Sequence, residues 1–111
     1  MEEPIKTYEM PEITNKRPFQ IYEVQGKTIQ NRTYPHETDR PHRHKYYEIC
    51  VFVNGAGKHE IDFNDHSIHS QSVHFLSPGQ VHKISRENDY HGYLMVFSRE
   101  FYSLDTKNEE F

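Results

Sequence analysis

Pro41-His42-Arg43-His44-Lys45-Tyr46-Tyr47-Glu48-Ile49-Cys50-Val51-Phe52-Val53 is the stretch whose reading decides the fold. Its second half is β-branched and aromatic, which suits a pleated surface, and Asn54-Gly55-Ala56-Gly57 breaks it. The pattern predicts a strand from Arg43 to Val53. Strand side chains alternate faces, so His42, His44, Tyr46, Glu48, Cys50 and Phe52 all point one way.

Outward from this stretch the same short period recurs. Phe19 to Val24 alternates apolar with polar residues, and residues 31–41 form a polar loop. Lys58 to Phe63 alternates with His59, Ile61 and Phe63 on one face, and Asn64-Asp65 signals a turn. Ser72 to Leu76 reads as a strand, Ser77-Pro78-Gly79-Gln80 as a tight turn, Val81 to Ile84 as extended, and Gly92 to Phe97 as a last apolar strand. Ser98 is placed to N-cap a short helix through Arg99, Glu100 and Phe101. Residues 1–18 carry Pro4, Pro11 and Pro18 without an apolar period and read as an irregular arm. Residues 19–104 are the expected domain, and 105–111 a fraying tail or the start of a linker.

Composition agrees with an all-β class. The 111 residues include twenty Ile, Val and Thr and fifteen Phe and Tyr, but only four Ala and Leu, so helices lack their usual material. Short strands with turns every eight to twelve residues mean a sandwich or small barrel. That length supports one modest core and no second catalytic domain. One cysteine excludes a disulfide framework and a multi-cysteine zinc site, and fits a reducing cytoplasmic setting. The longest apolar run, Ile49 to Val53, is far too short to span a membrane, and no basic-then-apolar leader pattern opens the chain. A formal charge of −4 argues against this piece binding nucleic acid itself.

The chemistry-bearing residues sit on the deciding strand. Imidazoles at i and i+2 on one face lie roughly 6.5–7 Å apart at Cα, within reach of a common ion. Glu48 adds an oxygen donor on that face, and a histidine from a neighbouring strand would complete a three-His, one-Glu set for a divalent transition metal such as Zn, Ni, Fe or Mn. His-x-His alone is weak, since nine histidines in this length give about 0.6 such pairs by chance. Its context is what counts: a strand, Glu48, Gly55, then Ser77-Pro78-Gly79-Gln80-Val81-His82. The competing reading is a polar network in which Glu48 pairs a histidine or Arg43. Tyr46, Phe52, His59 and Phe75 are candidates to line a ligand pocket, with plain core packing as their alternative. His36, His66 and His69 read as solvated, and alternation leaves His74 and His91 open. Cys50 reads as a small buried hydrophobe.

His42-x-His44-(x)3-Glu48-(x)6-Gly55 resembles the first cupin motif, and Pro78-Gly79-x-x-His82 the core of the second. Pro41 to Ile49, Gly55-Ala56-Gly57-Lys58-His59, Ser77 to His82 and Gly92 to Phe101 together resemble the N-terminal sensing domain of AraC-type transcription regulators. The second motif departs from its pattern, with Gln71-Ser72 where Gly-Asp is usual and Arg86 at its final Asn position. The resemblance implies a double-stranded β-helix (cupin or jelly roll) that binds a small-molecule effector, with a sugar as one class, beneath the N-terminal arm. Ligand-binding positions would be His42, His44, Tyr46, Glu48, Phe52, His59, Phe75 and His82; a metal on His42, His44, Glu48 and His82 is conditional, and no cofactor is required. Promoter DNA would be met only through a C-terminal domain with two helix-turn-helix units that this chain does not include. A homodimer through a Val- and Tyr-rich sheet face is a further expectation. The alternative is a metal-dependent cupin enzyme, a dioxygenase or isomerase.

Overall fold

The alternation written in the sequence becomes a pair of facing sheets in a computed structural model that describes residues 5–9, 19–26, 28–29 and 39–99. The strands are β1 (Lys6–Tyr8), β2 (Phe19–Gln25), β3 (Thr28–Ile29), β4 (His42–His44), β5 (Tyr47–Asn54), β6 (Gly57–Ile61), β7 (Asn64–Ser67), β8 (Ser72–Leu76), β9 (Val81–Arg86) and β10 (His91–Phe97). Sheet I runs β1-β4-β9-β6-β7 and sheet II runs β3-β2-β10-β5-β8. The β1–β4 pair is parallel, and the other described pairs are antiparallel. The all-β jelly roll expected from the sequence is the fold observed.

The core lies between the sheets. Sheet II contributes Tyr22, Val24, Cys50, Phe52, Leu76, Leu94 and Val96, and Ile84, Ile68, Tyr46 and Tyr90 close it from sheet I and the connections. Each such side chain is worth about 1.5–3 kcal/mol on burial. Gly92 in central β10 lies against β5, where an added Cβ would collide with the Val51 carbonyl oxygen and the Tyr90 ring. Absence of a side chain there lets the central strand approach its neighbour at a register shift.

Several expectations shift in detail. The strand read as continuous from Arg43 to Val53 bends at Lys45–Tyr46, so its first part belongs to sheet I and its second to sheet II. Parity survives the bend, and His42, His44, Tyr46, Glu48, Cys50 and Phe52 are all buried. The turn expected at Asn64-Asp65 falls instead at Asp62-Phe63, both at positive φ (48° and 67°), while Asn64 and Asp65 pair within β7. Asp62 favours that turn because its carboxylate accepts from the Val81 backbone N–H at 3.1 Å and from Gln80 Nε2 at 2.9 Å. Phe63, expected to share a face with His59 and Ile61, is consequently 68% exposed while His59 is buried. Lys6–Tyr8, in the arm read as irregular, hydrogen-bonds alongside β4, and the Tyr8 carbonyl accepts from the Lys45 N–H at 2.9 Å. The short helix expected after Ser98 and the tail 105–111 fall outside the described residues. Among the described residues no helix is long and apolar enough to cross a membrane.

Candidate ligand and metal site

β4 and β9 pair in a register that sets His42 directly opposite His82. Two residues on, His44 returns to the same face, and beyond the bend Glu48 enters from β5 in the other sheet. The three rings form a triangle with centroids 4.8 Å (His42–His44), 4.4 Å (His42–His82) and 4.9 Å (His44–His82) apart. All four groups are almost wholly shut off from solvent. Glu48 Oε1 lies 3.5 Å from His44 Nδ1, and Oε2 lies 3.8 Å from His82 Nε2. The carboxylate therefore faces the histidines, not Arg43.

Neighbouring groups orient the rings. The Arg40 carbonyl can only accept, so His42 Nδ1 carries the proton and donates to it at 2.6 Å, leaving the lone pair on Nε2. Burial lowers the His42 pKa, opposed by that backbone contact and by Asp39, which favours the neutral ring that a ligand needs. His44 stacks on Tyr46 with centroids 4.5 Å apart. Tyr8 on β1 covers the cluster, its ring 6.0 Å from His42 and 6.4 Å from His44. The Cys50 thiol donates to Glu48 Oε2 at 3.4 Å; burial and then the Glu48 charge push its pKa well up, so it is not a nucleophile.

The donor set fits a divalent transition metal. His42, His44 and His82 each offer a nitrogen within 4.8 Å of the others. Tetrahedral bonds of ~2.1 Å set ligand nitrogens about 3.4 Å apart, so ring rotations that move each nitrogen by up to roughly 0.8 Å would bring all three onto one ion. Glu48 stands beside them as the oxygen donor. When bound, such an ion supplies Lewis acidity and polarises a coordinated oxygen.

The remaining sequence candidates divide. Tyr46 and His59 border the cluster, with His59 Nε2 2.8 Å from His82 Nδ1. Phe52 packs in the core, edge-on to His59 at 6.4 Å. Phe75 is not brought to the site: it is 49% exposed on the outer face of sheet II, against Tyr47 and Phe97. The inward residue of β8 is His74, which alternation left open; its Nδ1 lies 2.9 Å from His59 Nδ1. Leu76, buried two positions later, carries the parity that identifies it. Tyr8 had no signal in its own segment, because its place depends on a pairing with β4. An open groove of about 400 Å³, lined by Glu23, Gln25, Gly26, Asn88, Tyr90 and His91, includes none of the cluster residues His42, His44, Glu48 and His82.

A family model described as the AraC-like ligand binding domain matches residues 27–104. No curated protein matches the chain significantly. Solved structures do. A Cupin 2 conserved barrel domain protein from Salinispora arenicola is 19% identical, with a TM-score of 0.54 over 90% of this chain and 80% of that one. A protein from Photorhabdus luminescens is 17% identical, with a TM-score of 0.55 over 84% and 74%. A predicted oxalate decarboxylase from Thermotoga maritima is 18% identical, with a TM-score of 0.55 over 80% and 74%. At such identities the likeness is one of fold.

Proposed function

The chain belongs to the AraC-like ligand-binding domain family, and from that premise we propose that it is the effector-sensing domain of a transcription regulator, with the buried His42–His44–Glu48–His82 cluster as its recognition site. The observation that carries this reading is three imidazoles and a carboxylate gathered between two sheets and covered by β1. Polar groups so deeply buried are expensive to keep without a role in recognition or in a satisfied network. Three histidines and one carboxylate provide both donors and acceptors, which suits a small polyhydroxylated or carboxylated molecule, and Tyr8 and Tyr46 provide flat faces. The effector would act by binding one arrangement of β1 over β4 better than another. DNA would be engaged by a separate helix-turn-helix domain in the same polypeptide, and two copies would associate.

The test is a small-molecule panel of sugars and hydroxy acids scored by thermal stabilisation, repeated on His44→Ala and His82→Ala. A hit that stabilises the wild type and neither variant supports the reading. Hits that stabilise all three equally, or a reading frame without helix-turn-helix patterning beyond Phe111, would overturn it.

The three-histidine grouping also favours a second reading, a metal-dependent cupin enzyme. It requires near-stoichiometric transition metal after anaerobic loading with Fe(II) and its loss in His44→Ala. Elemental analysis that finds no metal removes it.

A further inference from the structure

Behind the cluster, three imidazoles stand in a row that crosses from one sheet to the other. His74 Nδ1 on β8 lies 2.9 Å from His59 Nδ1 on β6, and His59 Nε2 lies 2.8 Å from His82 Nδ1 on β9. The row begins at half-buried His74, passes through fully buried His59 and ends at His82, whose Nε2 faces Glu48. Phe52 stands edge-on to both His74, at 4.7 Å, and His59, at 6.4 Å, and walls the row off from the core.

A neutral imidazole has one N–H and one lone pair, and each nitrogen–nitrogen contact needs a single proton. Three neutral rings satisfy both contacts in only two ways. In the inward arrangement His74 donates to His59, His59 donates to His82, and His82 presents an N–H at Nε2. In the outward arrangement His82 Nδ1–H donates to His59 Nε2, His59 Nδ1–H donates to His74 Nδ1, His82 Nε2 is a lone pair, and His74 Nε2 carries a proton. A mixed row would set two lone pairs or two protons face to face. His59 and His82 are fully buried and His74 is half-buried, a setting that disfavours a charged ring.

We propose that His59 and His74 are positioning residues that form a two-state tautomer relay, setting whether His82 offers the buried cluster an N–H or a lone pair. The inference rests on the cluster being the recognition site. With the Glu48 carboxylate, an acceptor, facing His82 Nε2 at 3.8 Å, the inward arrangement is favoured. A metal ion or a hydrogen-bond-donating ligand requires a lone pair and turns the row outward: the His82 Nε2 proton passes to the Glu48 carboxylate that faces it, each bridging proton hops one ring toward His82, and His74 Nε2 takes up a proton from solvent at the protein's edge. Occupancy of a closed site is thereby written onto a residue that solvent reaches.

The experiment uses the full chain with ring-¹⁵N-labelled histidine and Zn²⁺ as probe. Nitrogen shifts assign the tautomers of His59, His74 and His82, and calorimetry gives the affinity. The metal-free protein is expected to hold His82 as the Nε2–H form, and Zn²⁺ to convert it to Nδ1–H with His74 becoming Nε2–H. His59→Leu, which removes the acceptor for His82 Nδ1–H, should weaken Zn²⁺ binding about 10–100-fold. His59→Gln, whose amide oxygen reaches the place of Nε2, should stay within about threefold of wild type. Zn²⁺ binding with no change of tautomer at His74, or equal affinity in His59→Leu, overturns the relay while leaving the site reading intact. If Zn²⁺ does not bind, the metal reading fails, and the relay is judged on metal-free protein. There, a changed His82 tautomer in His59→Leu or, should that variant not fold, in the half-exposed His74→Ala supports it, and an unchanged one overturns it.

Discussion

Acidification is expected to destabilise this protein steeply, and His59 sets the scale. Its pKa is lowered from 6.5 to about 3, chiefly by burial, and His74, His66, His42 and Arg86 all push the same way. Below pH 6.5 the unfolded chain binds a proton at this position that the folded chain refuses, so stability is lost as pH falls, and the loss grows until about pH 3. At pH 5 the gap is about 1.5 pH units, which at ~1.36 kcal/mol per unit is about 2 kcal/mol from this ring alone. His42 and His74 shift in the same direction and steepen the slope. That is a large part of the 5–15 kcal/mol typical of a domain. The assay is urea unfolding at pH 7 and pH 5, followed by circular dichroism and by tyrosine emission, since the chain has eight tyrosines and no tryptophan. With a urea slope of about 1–1.5 kcal/mol/M, the midpoint should fall by roughly 1.5 M. His59→Gln, which cannot be protonated, should remove most of that difference. Equal midpoints at the two pH values, or an undiminished drop in His59→Gln, would refute the reasoning.

Four further outcomes are expected. Gly92→Ala forces a Cβ into the Val51 backbone and should lower stability by about 2–3 kcal/mol or abolish folding. Gly79→Ala, at φ +92° with open space around it, should cost only about 1 kcal/mol, and paired thermal melts check the contrast. Asp62→Ala removes the acceptor for the Val81 and Gln80 N–H groups and should cost about 1–2 kcal/mol, read as a shift in urea midpoint without a change in slope. Zn²⁺ at a hundredfold excess over its dissociation constant should stabilise the wild type by about 2.7 kcal/mol, an effect that His82→Ala should abolish and that chelator should reverse.

The architecture was legible where one face of a strand is buried and the other is not. Parity alone places His42, His44, Glu48 and Phe52 inward, and it holds because a one-residue slip would expose every one of them. The bend at Lys45–Tyr46 left no mark in the pattern, since a strand that changes sheets without changing parity reads as one strand. β8 misled for the opposite reason. Its apolar Val73 and Phe75 face outward, 59% and 49% exposed, while polar Ser72 and His74 face in, so hydrophobicity points to the wrong side. Only Leu76, buried at the strand end, records the correct phase. The shifted turn at Asp62-Phe63 was hidden because Asn64-Asp65 has equally good turn chemistry. What decided between them was a partner eighteen residues away, Gln80, which local reading does not weigh. β1 is an extreme case: its place comes wholly from β4.

The crossing at Lys45–Tyr46 has a mechanical consequence. At this one of several crossings, sheet I and sheet II are joined by a seam of two residues, with His44 on one side of it and Glu48 on the other, 3.5 Å apart across the fold. Whatever grips both groups at once closes a short ring through the backbone and works as a clasp. It would resist sliding of one layer over the other, and the seam, with Lys45 bonded to Tyr8, is where that tension would reach the N-terminal strand.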